Sequence, residues 1–120
     1  MNATKVLIII IHWGEPEKTL ACLDSLENLD NNDFSIFLLD NTRGEFSLDS
    51  GNYAFSIHRE NEENIGYTAG VNKGFAFAKE TGYQYVWLLN NDTVVEPDSL
   101  TILVDFMKSN RRYGAVSPSL

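Results

Sequence analysis

The chain is short of basic residues, of cysteine and of long apolar runs, and each shortage removes a class of function. Nine Lys and Arg stand against seventeen Asp and Glu, a net charge of −8. Nucleic acids and anionic membrane surfaces are bound through a basic face, which this deficit opposes. A single cysteine, Cys22, excludes an intrachain disulfide and fits a reducing compartment. The longest aliphatic run, residues 6–11, falls far short of the roughly 20 residues that span a bilayer. No small-residue cleavage site follows that run, as one would in a signal peptide. Together these features predict a soluble cytoplasmic domain, with membrane association through a longer parent left open. Two phosphate-binding signatures are also missing. There is no Gly-x-x-x-x-Gly-Lys-Ser/Thr. The glycines of "NIGYTAGVNKG", which are Gly66, Gly70 and Gly74, recur every four residues and not as Gly-x-Gly-x-x-Gly. Repeats, low-complexity segments and internal linkers are absent.

What is present suits one domain: 120 residues, 43% hydrophobic and 22% charged, enough for a real core. Residues 6–11 and 34–39 are apolar throughout, as strands buried on both faces are in parallel sheets. Residues 85–89 read as a further buried strand, with Trp87 in the core, and residues 54–58 as a shorter, weaker one. Between them lie helical patterns. One opens at Pro16, where a missing N–H costs nothing, carries Leu20, Cys22, Leu23 and Leu26 on one face, and ends at Asn31 and Asn32. A second covers residues 68–81 and stops at Gly82. A third opens at Pro97 with Leu100, Leu103, Val104 and Met107 at i, i+3, i+4 and i+7. Residues 42–52 and 59–67 read as polar connections, and residues 115–117 as the start of a fifth strand. The alternation predicts an α/β fold, Rossmann-like, with a mostly parallel sheet and helices on both faces.

Polar residues gather just after strands: His12 and Trp13 after the first, Asp40 and Asn41 after the second, Asn90, Asn91 and Asp92 after the fourth. Open α/β sheets bind ligands outside the carboxyl ends of their strands, where the strand order reverses. With an order 3-2-1-4, Trp13 and Asp92 flank one crevice. An aromatic ring beside a carboxylate there suits a nucleotide with a metal-bound phosphate. Structural readings stand beside each of these. Asp92 is equally a helix cap or turn former, Trp13 a packing residue and His12 a hydrogen-bonded structural histidine. Asp40 and Asn41 are equally turn residues. Gly70 and Gly74 lie on one helix face at a cost of roughly 1 kcal/mol each relative to alanine. That cost implies close approach, by a ligand or by a neighbouring strand.

Taken in order, "VLIIIIHWGEPEKTLACLDSL", "FLLDN", "ENIGYTAGVNKGFAFAKETGYQYVWLLNNDTVVEPDSL" and "YGAVSPSL" resemble the N-terminal half of family 2 glycosyltransferases of the GT-A fold, especially the bacterial rhamnosyltransferase-like group. Residues 64–100 carry the resemblance most strongly. It implies transfer of a sugar from a nucleoside-diphosphate donor, UDP- or dTDP-linked, to an acceptor hydroxyl with inversion, in cell-surface polysaccharide synthesis. It also implies that Asp92 holds Mn²⁺ or Mg²⁺ as the last carboxylate of an Asp-x-Asp motif. Asn90 falls at the motif's first position, near the ribose, and Asp40 on the carboxylate that contacts the pyrimidine. His12 and Trp13 line the nucleotide pocket, and Asn64, Gly66 and Asn72 border the donor. A divalent ion would supply the positive field that the −8 charge lacks. In that reading the amides of the Asn-Asn-Asp stretch hold sugar and ribose hydroxyls. Two departures stand out. The motif's first carboxylate is replaced by Asn90, which implies modest metal affinity. The loop "DNTRGEF" lacks the serine and further aspartate usual in relatives.

In the family the general base and acceptor site lie well past the metal motif. The expectation is therefore a donor-binding part of a longer enzyme, with the catalytic base beyond Leu120 and an apolar face left uncovered for self-association. Two other classes compete. A non-catalytic nucleotide-sugar-binding module would look the same over these residues. A response-regulator receiver domain would need an acidic pair where His12 and Trp13 stand and a lysine where "SPSL" stands.

Overall fold

The computed structural model describes residues 5–42, 44–63, 65–110 and 114–116. Its centre is β1 (Val6–His12), in which every residue is buried. A strand of unbroken β-branched and aliphatic residues has no polar face to offer water, so it can only be interior. β2 (Phe34–Asp40) is buried along its whole length in the same way. With β3 (Ile57–Asn61) and β4 (Tyr85–Asn90) they form one parallel sheet in the order β3-β2-β1-β4. The order 3-2-1-4 is thus observed, and the reversal of direction falls between β1 and β4.

Helices cover both faces. On one lie α1 (Pro16–Leu26) and α3 (Ser99–Ser109), packed through Cys22, Leu23, Leu26, Leu100 and Val104 onto Val6, Ile8, Ile10, Ile36 and Leu38. On the other lies α2 (Tyr67–Thr81), packed through Val71 and Ala78 onto Leu7, Ile9, Ile11, Phe37 and Leu39. The strict alternation of these two sets along β1 follows from the period-two geometry of a strand. Pro16 stands in the first turn of α1. Gly82 closes α2 at φ 88°, its N–H donating to the Ala78 carbonyl, the left-handed stop that glycine adopts without steric cost.

Several boundaries differ from the sequence reading. α1 ends at Leu26, before Asn31 and Asn32. β3 begins at Ile57 and not at residue 54, because Tyr53 and Phe55 turn onto the α1 face as core-packing residues of the crossover. α3 begins at Ser99 because the Pro97 carbonyl is engaged by the Asp30 N–H at 2.9 Å. β4 is an edge strand among the described residues, and only Leu89 in it is buried. Trp87 is half-buried, and an apolar groove of about 560 Å³ runs past it, lined also by Leu88, Leu103 and Met107. Ala115 and Val116 form no strand, and Ser117 lies outside the described residues.

Gly70 and Gly74 have a packing explanation. A Cβ on Gly70 would meet Ile11 Cδ1 at 3.0 Å, and one on Gly74 would meet Ile9 Cδ1, Cγ1 and Cγ2 at 2.6, 2.9 and 2.9 Å. The helix backbone rests directly on β1. Gly74→Ala would gain about 1 kcal/mol of helix propensity, but overpacking against the branch point of a buried isoleucine costs typically 1–3 kcal/mol. We expect a net loss of stability for Gly74→Ala, relieved by the additional change Ile9→Val. Urea denaturation of the single and double variants checks this, and a stabilised Gly74→Ala would show that α2 can lift off the sheet freely.

Candidate functional site

The sheet register brings the exits of all four strands into one row. Asn61 lies opposite Asp40, Asp40 opposite His12, and Asn90 opposite Ile11. Backbone bonds extend the row beyond the strands. The Asn41 N–H donates to the His12 carbonyl at 3.1 Å, and the Glu62 N–H to the Asp40 carbonyl at 2.9 Å. Asn41 Oδ1 accepts from the Ile65 N–H at 2.8 Å, which fixes the approach to α2. At the start of that helix stands Gly66, with φ 87°, a conformation that favours glycine.

Asp40 is fully buried, and its carboxylate is saturated. Oδ1 accepts from the backbone N–H of Thr42 at 2.9 Å and from the Thr42 hydroxyl. Oδ2 accepts from Arg59 Nη2 at 2.7 Å and from the Phe46 N–H at 3.4 Å. Burial pushes the Asp40 carboxyl up, but the hydrogen bonds from Thr42, Arg59 and Phe46 outweigh it and hold it below the usual carboxylate range. Arg59 also donates through Nη2 to the Phe46 carbonyl and through Nε to Asn61 Oδ1 at 3.0 Å, and its guanidinium lies over the Phe46 ring. Neither Arg59 nor Phe46 stands out in the sequence. Arg59 sits in a stretch that reads as a polar connection, and Phe46 is one apolar residue in a polar loop. The only available signal was that lone aromatic, which is 2% exposed.

Phe46 in turn stacks on the His12 ring at 3.9 Å between centroids. His12 is 1% exposed, and its Nδ1 shares a hydrogen bond with the Thr19 hydroxyl at 2.6 Å. Burial lowers its pKa, the Asp40 carboxylate raises it, Arg59 lowers it, and the net direction is down. His12 is therefore a neutral, enclosed ring, as in the structural reading of a buried histidine. Thr19 also accepts from Asn91 Nδ2 at 2.9 Å, and the same Nδ2 donates to the Trp13 carbonyl at 2.8 Å. Asn91 is 4% exposed. Its amide holds protein groups, which corrects the expectation that both amides of the Asn-Asn-Asp stretch hold hydroxyls.

Exposed side chains at the same place are Trp13 (60%), Asn90 and Asp92. The turn at Asn91 and Asp92 is closed by the Thr93 N–H on the Asn90 carbonyl at 3.1 Å. Asp92 is not a helix cap, since Asp98 occupies that position for α3. Asn72 is exposed on α2, on the turn after Gly70, and Asn64 lies outside the described residues. Beneath the turn, Cys22 is wholly buried, its Sγ 3.8 Å from the Asn90 carbonyl; burial and then the Asp92 charge push its thiol up to about 12. Among the described residues no three His, Cys, Asp or Glu side chains converge as a ready metal cage. One exposed carboxylate fits a cation that takes its other oxygens from phosphates and water, the usual habit of Mg²⁺.

Residues 7–119 match the family described as glycosyl transferase family 2. The chain belongs to that family. Its fold is that of the N-terminal part of TarS of S. aureus. The crystal structure of TarS 1-349 superposes with a TM-score of 0.74 at 15% identity, over 96% of this chain and 38% of that one. The same fragment in complex with UDP-GlcNAc gives 0.70 at 15% identity, over 96% and 37%. With UDP it gives 0.65 at 16% identity, over 96% and 38%. The family 2 chain thus spans well under half of the TarS fragment. No curated protein sequence matches it. No helix among the described residues is long and apolar enough to cross a membrane.

The buried ion pair gives a pH-dependent expectation. Asp40's folded-state pKa is depressed, so its contribution to stability is complete above the ordinary value near 4 and is lost as pH falls through the folded value. Arg59→Met keeps the bulk and removes the charge. We expect it to cost about 3 kcal/mol, the low end for a broken buried pair because Arg59 is partly exposed, and to move acid unfolding to higher pH. Circular dichroism during urea and acid titrations checks both. An unchanged acid midpoint would mean that the donors of Thr42 and Phe46 hold Asp40 without Arg59.

Proposed function

We propose that the strand-end surface binds the nucleoside diphosphate of a sugar donor, uridine- or thymidine-linked. The transfer it serves is an inverting one to an acceptor hydroxyl, in cell-surface polysaccharide synthesis. The observation that carries the reading is that Trp13, Asn90 and Asp92 are all exposed at the exits of β1 and β4, where the strand order reverses, next to the buried His12, Asp40 and Asn91. Family membership supports it, as do the TarS crystals that hold UDP-GlcNAc and UDP.

In this proposal each residue has a physical task. Trp13 offers an apolar platform at the mouth of the crevice, and Asn90 offers an amide to ribose hydroxyls. Asp92 provides the carboxylate for Mn²⁺ or Mg²⁺, which when bound supplies positive charge against the leaving diphosphate. Gly66 and Asn72 border the donor from the α2 side, and the family resemblance adds Asn64 to them. His12 and Asp40 act from beneath. Both Asp40 oxygens are engaged with Thr42, Arg59 and Phe46, and His12 is buried with its Nδ1 on Thr19, so they shape the floor of the site. Proton removal from an acceptor has no assigned group here. His12 is enclosed, and Glu96 and Asp98 precede α3, where carboxylates commonly serve the helix dipole. Donor binding, and not the whole transfer, is therefore what these residues are proposed to carry.

Titration calorimetry with UDP and dTDP in Mg²⁺, Mn²⁺ and EDTA tests the proposal. We expect binding in metal and at least tenfold weaker binding in EDTA, and equal affinities in the two would count against the role of Asp92. Asp92→Ala should abolish the metal-dependent part and change the stability by no more than exposed surface substitutions do, about 0.5 kcal/mol. A variant that melts early yet binds normally would instead make Asp92 a structural turn residue.

A further inference from the structure

Asn90, Asn91 and Asp92 are consecutive, yet the structure treats them differently. The outer two are exposed and the middle one is 4% exposed. The Asn91 amide nitrogen has two hydrogens and two acceptors at bonding distance: the Trp13 carbonyl at 2.8 Å and Thr19 Oγ1 at 2.9 Å. Trp13 stands at the exit of β1, Thr19 in the first turns of α1, and Asn91 at the exit of β4. No backbone hydrogen bond of the ladder reaches this far, since the β1–β4 register ends at Ile11 and Asn90. One side-chain amide therefore joins the two sides of the crevice after the sheet itself has stopped joining them.

The geometry points to Asn91 as a positioning residue, which sets the separation between the Trp13 platform and the Asp92 carboxylate and so pre-organises the donor site. This rests on the donor-binding reading given above. The residue type follows from the acceptors. A carbonyl and a hydroxyl oxygen already engaged by His12 both need a donor, and an amide supplies two at once. Aspartate has nearly the same shape and, when ionised, supplies none, so it would face the Trp13 carbonyl with lone-pair repulsion and could hold Thr19 only by taking that hydroxyl's hydrogen. Both hydrogens of Asn91 are directed at protein oxygens, so its donors act on a ligand through Trp13 and the turn that carries Asp92. Pre-organised groups bind more tightly because less ordering remains to be done on association.

The test uses the full chain, with Trp87→Phe so that Trp13 is the only indole. UDP with Mg²⁺ is titrated into the parent, Asn91→Asp and Asn91→Ser, at a temperature where melting curves show all of them folded. Trp13 fluorescence anisotropy is read without ligand. We expect UDP affinity to fall at least tenfold in Asn91→Asp and less in Asn91→Ser, which keeps one donor. Trp13 anisotropy should drop in the same order before any ligand is added. Equal UDP affinity and unchanged anisotropy in folded Asn91→Asp would overturn the positioning role and leave the donor-binding reading standing. No binding of UDP by the parent would overturn that reading and the inference with it. If Asn91→Asp does not fold, Asn91→Ser decides by the same two measurements.

Discussion

Asp40 keeps a full charge where no water reaches it, and it does so because Arg59 and the backbone at Thr42 and Phe46 take over the role of water. An isolated carboxylate in such a place would protonate or unfold its surroundings. Here each oxygen finds two donors, and the cation that neutralises it also fastens the Phe46 carbonyl. The long crossover between β2 and β3, whose described residues hold only a 3-10 turn at Ser50–Asn52, gains a fixed point from this ion pair. Phe46 is drawn in and lies against His12, and His12 reaches Thr19 and hence Asn91. A chain of contacts thus starts at β3, passes under every strand exit and ends at the turn after β4. Buried polar networks of this kind specify one arrangement because each member would be costly to leave unpaired.

The outcome is a division of labour by depth. Buried groups bonded to the protein lie below and exposed ones above. Asp40, His12, Thr19 and Asn91 direct their bonds to the protein, and Trp13, Asn90 and Asp92 stand exposed at the surface. On the opposite face of β1, the two glycines of α2 bring helix backbone against Ile9 and Ile11. The central strand is held from both faces, and the exits it presents to solvent inherit that rigidity. Sites built on such supports lose little entropy on binding.

Much of this was legible because burial on both faces leaves an unmistakable record. β1 and β2 are apolar without interruption, Gly82 ends α2, and polar residues accumulate at the strand exits as an open α/β sheet requires. The edges were harder to read. β3 is written as Ile-His-Arg-Glu-Asn, the charged alternation that protects an edge, and its apolar neighbours Tyr53 and Phe55 drew the assignment toward residue 54. β4 is as apolar as an interior strand, so its half-exposed state depends on what lies beside it and not on its own sequence. Arg59 could not be found from pattern alone, since a lone arginine in a polar stretch carries no sign that a buried aspartate nineteen positions earlier needs it. Asn91 was misread for a related reason. Composition marks a run of three polar residues as solvent-facing, and only the turn geometry rotates the middle one inward.

The solitary thiol of Cys22 lies under the same turn, wholly enclosed and pushed up to about 12, with its sulfur against the Asn90 carbonyl. Alkylating reagents need a thiolate and a path to it, and the native fold denies both. Labelling at this one atom therefore proceeds only through molecules that have opened around α1 and the exit of β4. Its rate becomes an internal clock for how often that part of the domain comes apart.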